Sequence, residues 1–171
     1  NVDAATCLYT GIATDSGGFR FPRTTGNLHR IVANLIDIGV NNSQIHVNLY
    51  DNGDYNKLQI LGKALSNMKV LPEYKTSYIA LSQQEQNELQ VKKGDTEGIV
   101  NYGLTLKGVI FCAIFIEDVN VSNNVKISFR SLGNFPCNLF AENHFLGGGH
   151  INASGGRFEG NAENAIEKFL K

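Results

Sequence analysis

Val109-Ile110-Phe111-Cys112-Ala113-Ile114-Phe115-Ile116-Glu117 holds the longest apolar run of the chain, Val109 to Ile116. The run is rich in β-branched and aromatic residues, and the polar turn Asn120–Asn124 follows it. A buried strand satisfies both features. Spanning a bilayer as a helix takes about 20 apolar residues, so this run is too short for that. Beyond the turn, Val125–Phe129 alternates with period two and reads as a second strand. Upstream, Tyr78-Ile79-Ala80-Leu81 reads as a third, and Ser82-Gln83-Gln84-Glu85 is a capping box that opens a helix. Downstream, a helix is expected near Asn138–Phe145, then a glycine loop from Gly147 and a final helix from about Asn161.

The N-terminal third has a different period. Ala4, Ala5, Leu8 and Ile12 share a helical face with Asp3 placed to cap it, and Thr14-Asp15-Ser16-Gly17-Gly18 follows as a polar turn. Thr25 can cap a second helix, where Leu28, Ile31, Val32, Leu35 and Ile36 fall at helical spacing and Gly39 stops it. A short helix is expected over Ser43–Leu49. Leu58, Leu61, Leu65 and Met68 form a third amphipathic stretch before Pro72. The fold class is therefore α/β, with a helix-rich first part and a small mixed sheet with helices in the second. The division is expected near Lys69–Lys75.

With 171 residues, 42% of them hydrophobic and 18% charged, the chain can bury one core or two small ones. The three cysteines, Cys7, Cys112 and Cys137, are widely spaced and form no C-x-x-C, so they read as reduced and mostly buried thiols of a cytoplasmic protein. A net charge of −1 argues against a broad basic surface for long duplex DNA. A short anionic substrate needs only a local positive pocket. With Asn at position 1 and no signal-peptide pattern, the chain is expected to be part of a longer protein.

Chemistry concentrates in Gly147-Gly148-Gly149-His150-Ile151-Asn152-Ala153-Ser154-Gly155-Gly156. Consecutive glycines let backbone N–H groups converge on a phosphate as a nest, with His150 and Asn152 adding polar contacts. Three glycines alone fit a flexible loop equally well. Arg130, in Ser128-Phe129-Arg130-Ser131 at a strand end, offers a planar fork for phosphate, and an exposed ion pair is the alternative. Asp15, in isolation, suits a turn. His29 reads as a helix-surface residue, and His46 and His144 have no ligand spacing. Tyr102 could stack on a base, whereas Phe129 belongs to the core by its strand period.

Taken in order, several motifs resemble the DHH-family phosphoesterases. Asp3 to Gly17, with Phe19-Arg20-Phe21 and Thr24-Thr25, resembles the family's last metal-binding region. Asp95-Thr96-Glu97-Gly98-Ile99-Val100-Asn101-Tyr102, Ser128 to Ser131 and Gly147 to Gly156 resemble the DHH-associated substrate domain. The nearest subgroup is the oligoribonuclease and 3′-phosphoadenosine 5′-phosphate (pAp) phosphatase enzymes, also described as exopolyphosphatase-related. Leu146 departs from the pattern, standing where a further glycine is usual.

The resemblance implies the helix-rich C-terminal part of a DHH catalytic domain with a connecting helix over 1–68, a linker at 69–75 and a DHH-associated substrate-binding domain over 76–171. It implies a hydrolase that uses two manganese ions, with Asp15 as one metal ligand and the other ligands upstream of this chain. Arg130, Ser131, Gly147, Gly148, Gly149, His150 and Asn152 become the expected substrate-binding residues. The expected substrates are short single-stranded RNA or pAp. Cyclic-dinucleotide products, single-stranded DNA, polyphosphate and a catalytically inactive nucleotide-binding fragment are the alternatives. The isolated chain is expected to lack activity without the missing N-terminal part of the DHH domain; no membrane partner is expected, and homodimerisation is left open.

Overall fold

Asn1 opens the first helix by accepting a hydrogen bond from the Ala4 N–H at 2.8 Å. The expected cap, Asp3, instead lies in the first turn, where its charge suits the helix dipole. The computed structural model describes all residues from Asn1 to Lys171, which divide into two compact units, Asn1–Gly53 and Asp54–Lys171.

The first unit holds α1 (Val2–Asp15), α2 (Gly26–Asp37) and α3 (Asn42–Tyr50). Its core joins Ala5, Tyr9 and Ala13 of α1 to Val32 and Leu35 of α2, with Val40 and Ile45. The buried face of α1 thus recurs every fourth residue through two alanines and a tyrosine, and the expected Leu8 is 60% exposed. Small residues let the helices approach closely, and Tyr9 fills the gap while its hydroxyl meets His46 Nε2 at 3.2 Å. The Thr25 hydroxyl caps α2 by accepting from Leu28 N–H at 3.2 Å. Asp15 ends α1 rather than standing in the turn after it.

The second unit contains α4 (Tyr55–Ser66), β1 (Lys69–Leu71), β2 (Thr76–Leu81), α5 (Gln83–Glu88), β3 (Phe111–Glu117), β4 (Asn124–Ser131), α6 (Cys137–His144), β5 (Gly148–His150), β6 (Ala153–Glu159) and α7 (Ala162–Phe169). The sheet order is β1-β2-β3-β4-β6-β5, and only the β2–β3 pair is parallel. Parallel neighbours need a crossover. Here it carries α5 and a 3-10 segment, Ile99–Thr105. The capping box of α5 forms as expected, Ser82 and Glu85 each bonding the other's backbone N–H.

One sheet face buries Phe111, Ala113, Phe115, Val125, Ile127 and Phe129 beneath α6 and α7. The other buries Ile79, Leu81, Cys112 and Ile114 beneath Ile60 and Ala64 of α4 and Ile99 and Val100 of the crossover. This second core moves the division of the chain. The expected linker at 69–75 is a sheet strand followed by a 3-10 turn, and α4 belongs with the sheet because Ile60 and Ala64 are fully buried in it. The inward face of α4 centres on Ile60 and Ala64; of the expected residues Leu61 and Met68 pack against this core, while Leu58 is 64% exposed and Leu65 is exposed. Of the cysteines, Cys112 and Cys137 are buried and Cys7 is exposed. No helix is long and apolar enough to cross a membrane.

Candidate functional site

Alternation along β4 decides where Arg130 points. Val125, Ile127 and Phe129 are buried on the α6–α7 side, so Lys126, Ser128 and Arg130 face the other way. Arg130 pairs with Cys112 of β3 and Ala153 of β6, and Ala153 pairs in turn with His150 of β5. Cys112 pairs with Ser77 of β2. A single row, Ser77–Cys112–Arg130–Ala153–His150, therefore crosses five strands.

The buried end of that row supports the exposed end. Gly103 of the crossover lies directly over Ser77 and Cys112; a Cβ there would stand 2.3 Å from Ser77 Oγ and 2.7 Å from Cys112 Sγ. This close approach anchors the segment that presents Asn101 and Tyr102 to solvent, and the same segment touches β4. Burial pushes the Cys112 thiol up to about 11, against the opposing pull of the Ser77 hydroxyl and the Arg130 guanidinium. Beyond β3 the row opens. Arg130 is half-buried, donates from Nη1 to its own Phe129 carbonyl at 2.9 Å, and belongs to none of the three ion pairs of the chain. His150 is exposed.

The glycine stretch is a strand rather than a loop. Gly148–His150 pairs with Ala153–Gly155, so N–H groups turned toward β6 enter a ladder and do not converge as a nest. The glycines serve the hairpin. A Cβ on Gly147 would lie 2.1 Å from the Gly155 carbonyl oxygen, and Gly149, at φ +143°, would meet Ala153 O at 2.7 Å. What remains for a ligand is the outer edge of β5, the last strand of the sheet, whose polar backbone groups have no strand partner.

Ser131 and Asn152 are brought together but committed to the fold. Asn152 Nδ2 donates to Ser131 Oγ at 2.9 Å and to the Gly133 carbonyl at 3.0 Å. Ser131 is buried and donates to the Phe135 carbonyl at 2.7 Å. The pair ties the start of β6 to the end of β4, and so holds Arg130 and Ala153 in register.

Asp15 belongs to the first unit. It is the exposed last residue of α1, with no basic residue in that turn and no ion-pair partner. A carboxylate at a helix C-terminus opposes the macrodipole, at a cost of about 0.3–1 kcal/mol. Nowhere do three or more His, Cys, Asp or Glu side chains gather to hold a metal ion. One carboxylate does not fit a two-metal centre, so the residues of this chain do not by themselves accommodate the manganese pair. His29 is exposed on α2 with its ring 5.6 Å from Phe19, and the His144 ring lies tilted against Phe140 at 4.8 Å.

No protein-family model matches the chain. Among curated proteins it is 28% identical to the bifunctional oligoribonuclease and PAP phosphatase NrnA of Thermus thermophilus, over 99% of this chain and 49% of that protein. It is 25% identical to the protein of the same name from Bacillus subtilis, over 91% of this chain and 47% of that one. Among solved structures, an exopolyphosphatase-related protein from Bacteroides fragilis superposes with a TM-score of 0.95 at 39% identity, covering 99% of this chain and 49% of that one. A pGpG-specific phosphodiesterase from Vibrio cholerae shares the fold at a TM-score of 0.51 and 17% identity, covering 95% of this chain and 53% of that one. The chain thus spans about half the length of the relatives it matches.

Proposed function

From a chain homologous over nearly its whole length to DHH-family oligoribonuclease and pAp phosphatases, we propose that it supplies the substrate grip of a manganese-dependent phosphoesterase acting on short oligoribonucleotides or pAp. The observation that carries the reading is the row Arg130–Ala153–His150. It sets a guanidinium and an imidazole on one sheet face, beside a strand edge with unused backbone donors. Arg130 supplies a charge-assisted fork for a terminal phosphate, His150 a second donor, and the edge of β5 backbone N–H groups. Gripping a chain end in this way suits a protein of net charge −1.

Manganese would supply an activated water and neutralise charge on the phosphoryl oxygens. Asp15 contributes one ligand in this reading, and the rest come from the half of the relatives that the chain does not match. The 171-residue chain then binds nucleotide but does not hydrolyse it.

Calorimetry with pAp and adenosine tests the grip. Arg130→Ala is expected to weaken pAp by about tenfold to a hundredfold, the worth of a charge-assisted contact, and to leave adenosine unchanged. Equal pAp affinity in the two proteins would place the phosphate site elsewhere.

A further inference from the structure

The row through Arg130 is not the end of the open face. Two residues along β4 from Arg130 stands Ser128, opposite Gly155 of β6, and two further stands Lys126, opposite Arg157. Alternation puts all of these on the face away from α6 and α7, because Phe158 beside Arg157 packs into the core on the other side. The ground between the two arginines is low and uncovered. A Cβ on Gly155 would meet nothing nearer than the Ile127 carbonyl oxygen at 3.5 Å.

The two cations opposite each other at the far end differ in availability. Lys126 Nζ lies 2.9 Å from Asp118 Oδ2, so its charge is already answered. Arg157 is exposed and belongs to no ion pair. Its backbone is fixed on both sides, by Lys126 in the ladder and by reciprocal bonds with Leu146 at 3.2 and 3.3 Å. One pleat further on, Glu159 faces the same way and closes the track with a negative charge.

We infer that Arg157 is a second phosphate site, taking an internal phosphodiester of a short single-stranded oligonucleotide whose end is held at Arg130. The inference rests on the function proposed above and adds a direction to it: the oligonucleotide runs along β4 and β6 over Ser128 and Gly155. Four residues of strand separate the two sites, a span of about 13 Å. A trinucleotide reaches across that span, and pAp does not. Glu159 sets the far limit, so the surface accommodates a few nucleotides and repels a longer run.

Titration of the full 171-residue chain with pAp and with a 5′-phosphorylated adenosine trinucleotide tests this. Arg157→Gln is expected to weaken the trinucleotide about tenfold, to lower the slope of log affinity against log salt by about 0.7, and to leave pAp unchanged. Arg130→Gln should weaken both ligands. If Arg157→Gln leaves the trinucleotide unchanged, or weakens pAp as much, the second site is overturned while the grip at Arg130 stands. If Arg130→Gln affects neither ligand, it is the proposed grip that fails. Glu159→Gln supplies an independent arm: it should tighten binding of a hexanucleotide more than of the trinucleotide, and equal effects would remove the limit assigned to Glu159.

Discussion

Arg130 and His150 stand opposite the same residue, Ala153, from the two sides of β6. Their Cα atoms are therefore two strand spacings apart, about 10 Å, with both side chains on one face. Two long donors at that separation can close on one phosphate. His150→Ala is then expected to weaken pAp about threefold to tenfold. Combined with Arg130→Ala it should cost less than the product of the single effects, because the two donors share a ligand. Strictly additive losses in a calorimetric cycle would mean separate sites.

The glycines of the β5 hairpin divide by what surrounds them. Gly147 has the Gly155 carbonyl oxygen 2.1 Å from where a Cβ would go, and backbone cannot swing aside. Gly148 has only the end of Glu142, at 3.5 Å. Gly147→Ala is expected to destabilise by roughly 1–3 kcal/mol, read as a lowered urea midpoint. Gly148→Ala should fall within about 0.5 kcal/mol of wild type. Equal costs would mean that close packing of β5 on β6 is not why these residues are glycine.

How much of this was legible before folding depended on whether the signal was local. The caps at Thr25 and at Ser82 with Glu85 form as read, because a cap is a contact between residues three apart. Strands β3 and β4 were legible from apolar period. The short edge strand β1 and the glycine-rich β5 were not, and β6 was missed with them, since their strand identity comes from pairing partners. Helix faces failed where small residues not read as apolar anchors turned inward, as with Ala13 and Ala64, whereas Ala5 is buried as read. The place of Arg130 near the end of β4 was legible from the strand pattern. The commitment of Asn152 to Ser131 was not, because it joins residues 21 apart. Asp15 was singled out as a metal-ligand candidate only through family resemblance.

Asp118 gives the second unit an acid-sensitive joint. Lys126, the Asn120 N–H and Asn124 hold its carboxyl down from an ordinary 3.8 to about 2. A carboxylate with a depressed folded-state value stabilises above its unfolded value and loses that contribution as pH falls through the folded one. The contribution is thus complete above about pH 4 and lost toward about pH 2. Asp118→Asn should be less stable than wild type at neutral pH, with the gap closing across that window. A gap independent of pH in denaturant titrations would show that the ionised form does not hold the 120–124 turn.

Asp15 separates a functional cost from a folding one by the sign of two measurements. Ending α1 on an unpaired carboxylate opposes the helix dipole, so Asp15→Asn should raise the stability of the chain slightly, by about 0.3–1 kcal/mol. In the longer enzyme proposed here, the same change replaces a charged metal ligand by a neutral one. Activity on pAp at limiting manganese should fall by about a hundredfold or more, and the manganese concentration needed for half-activity should rise. A residue kept for folding would move stability and activity in the same direction. Stability gained while activity is lost is the pattern of a position held against its local preference by chemistry. If Asp15→Asn leaves activity and manganese dependence unchanged, Asp15 is no ligand, and its place at the end of α1 has no catalytic reason.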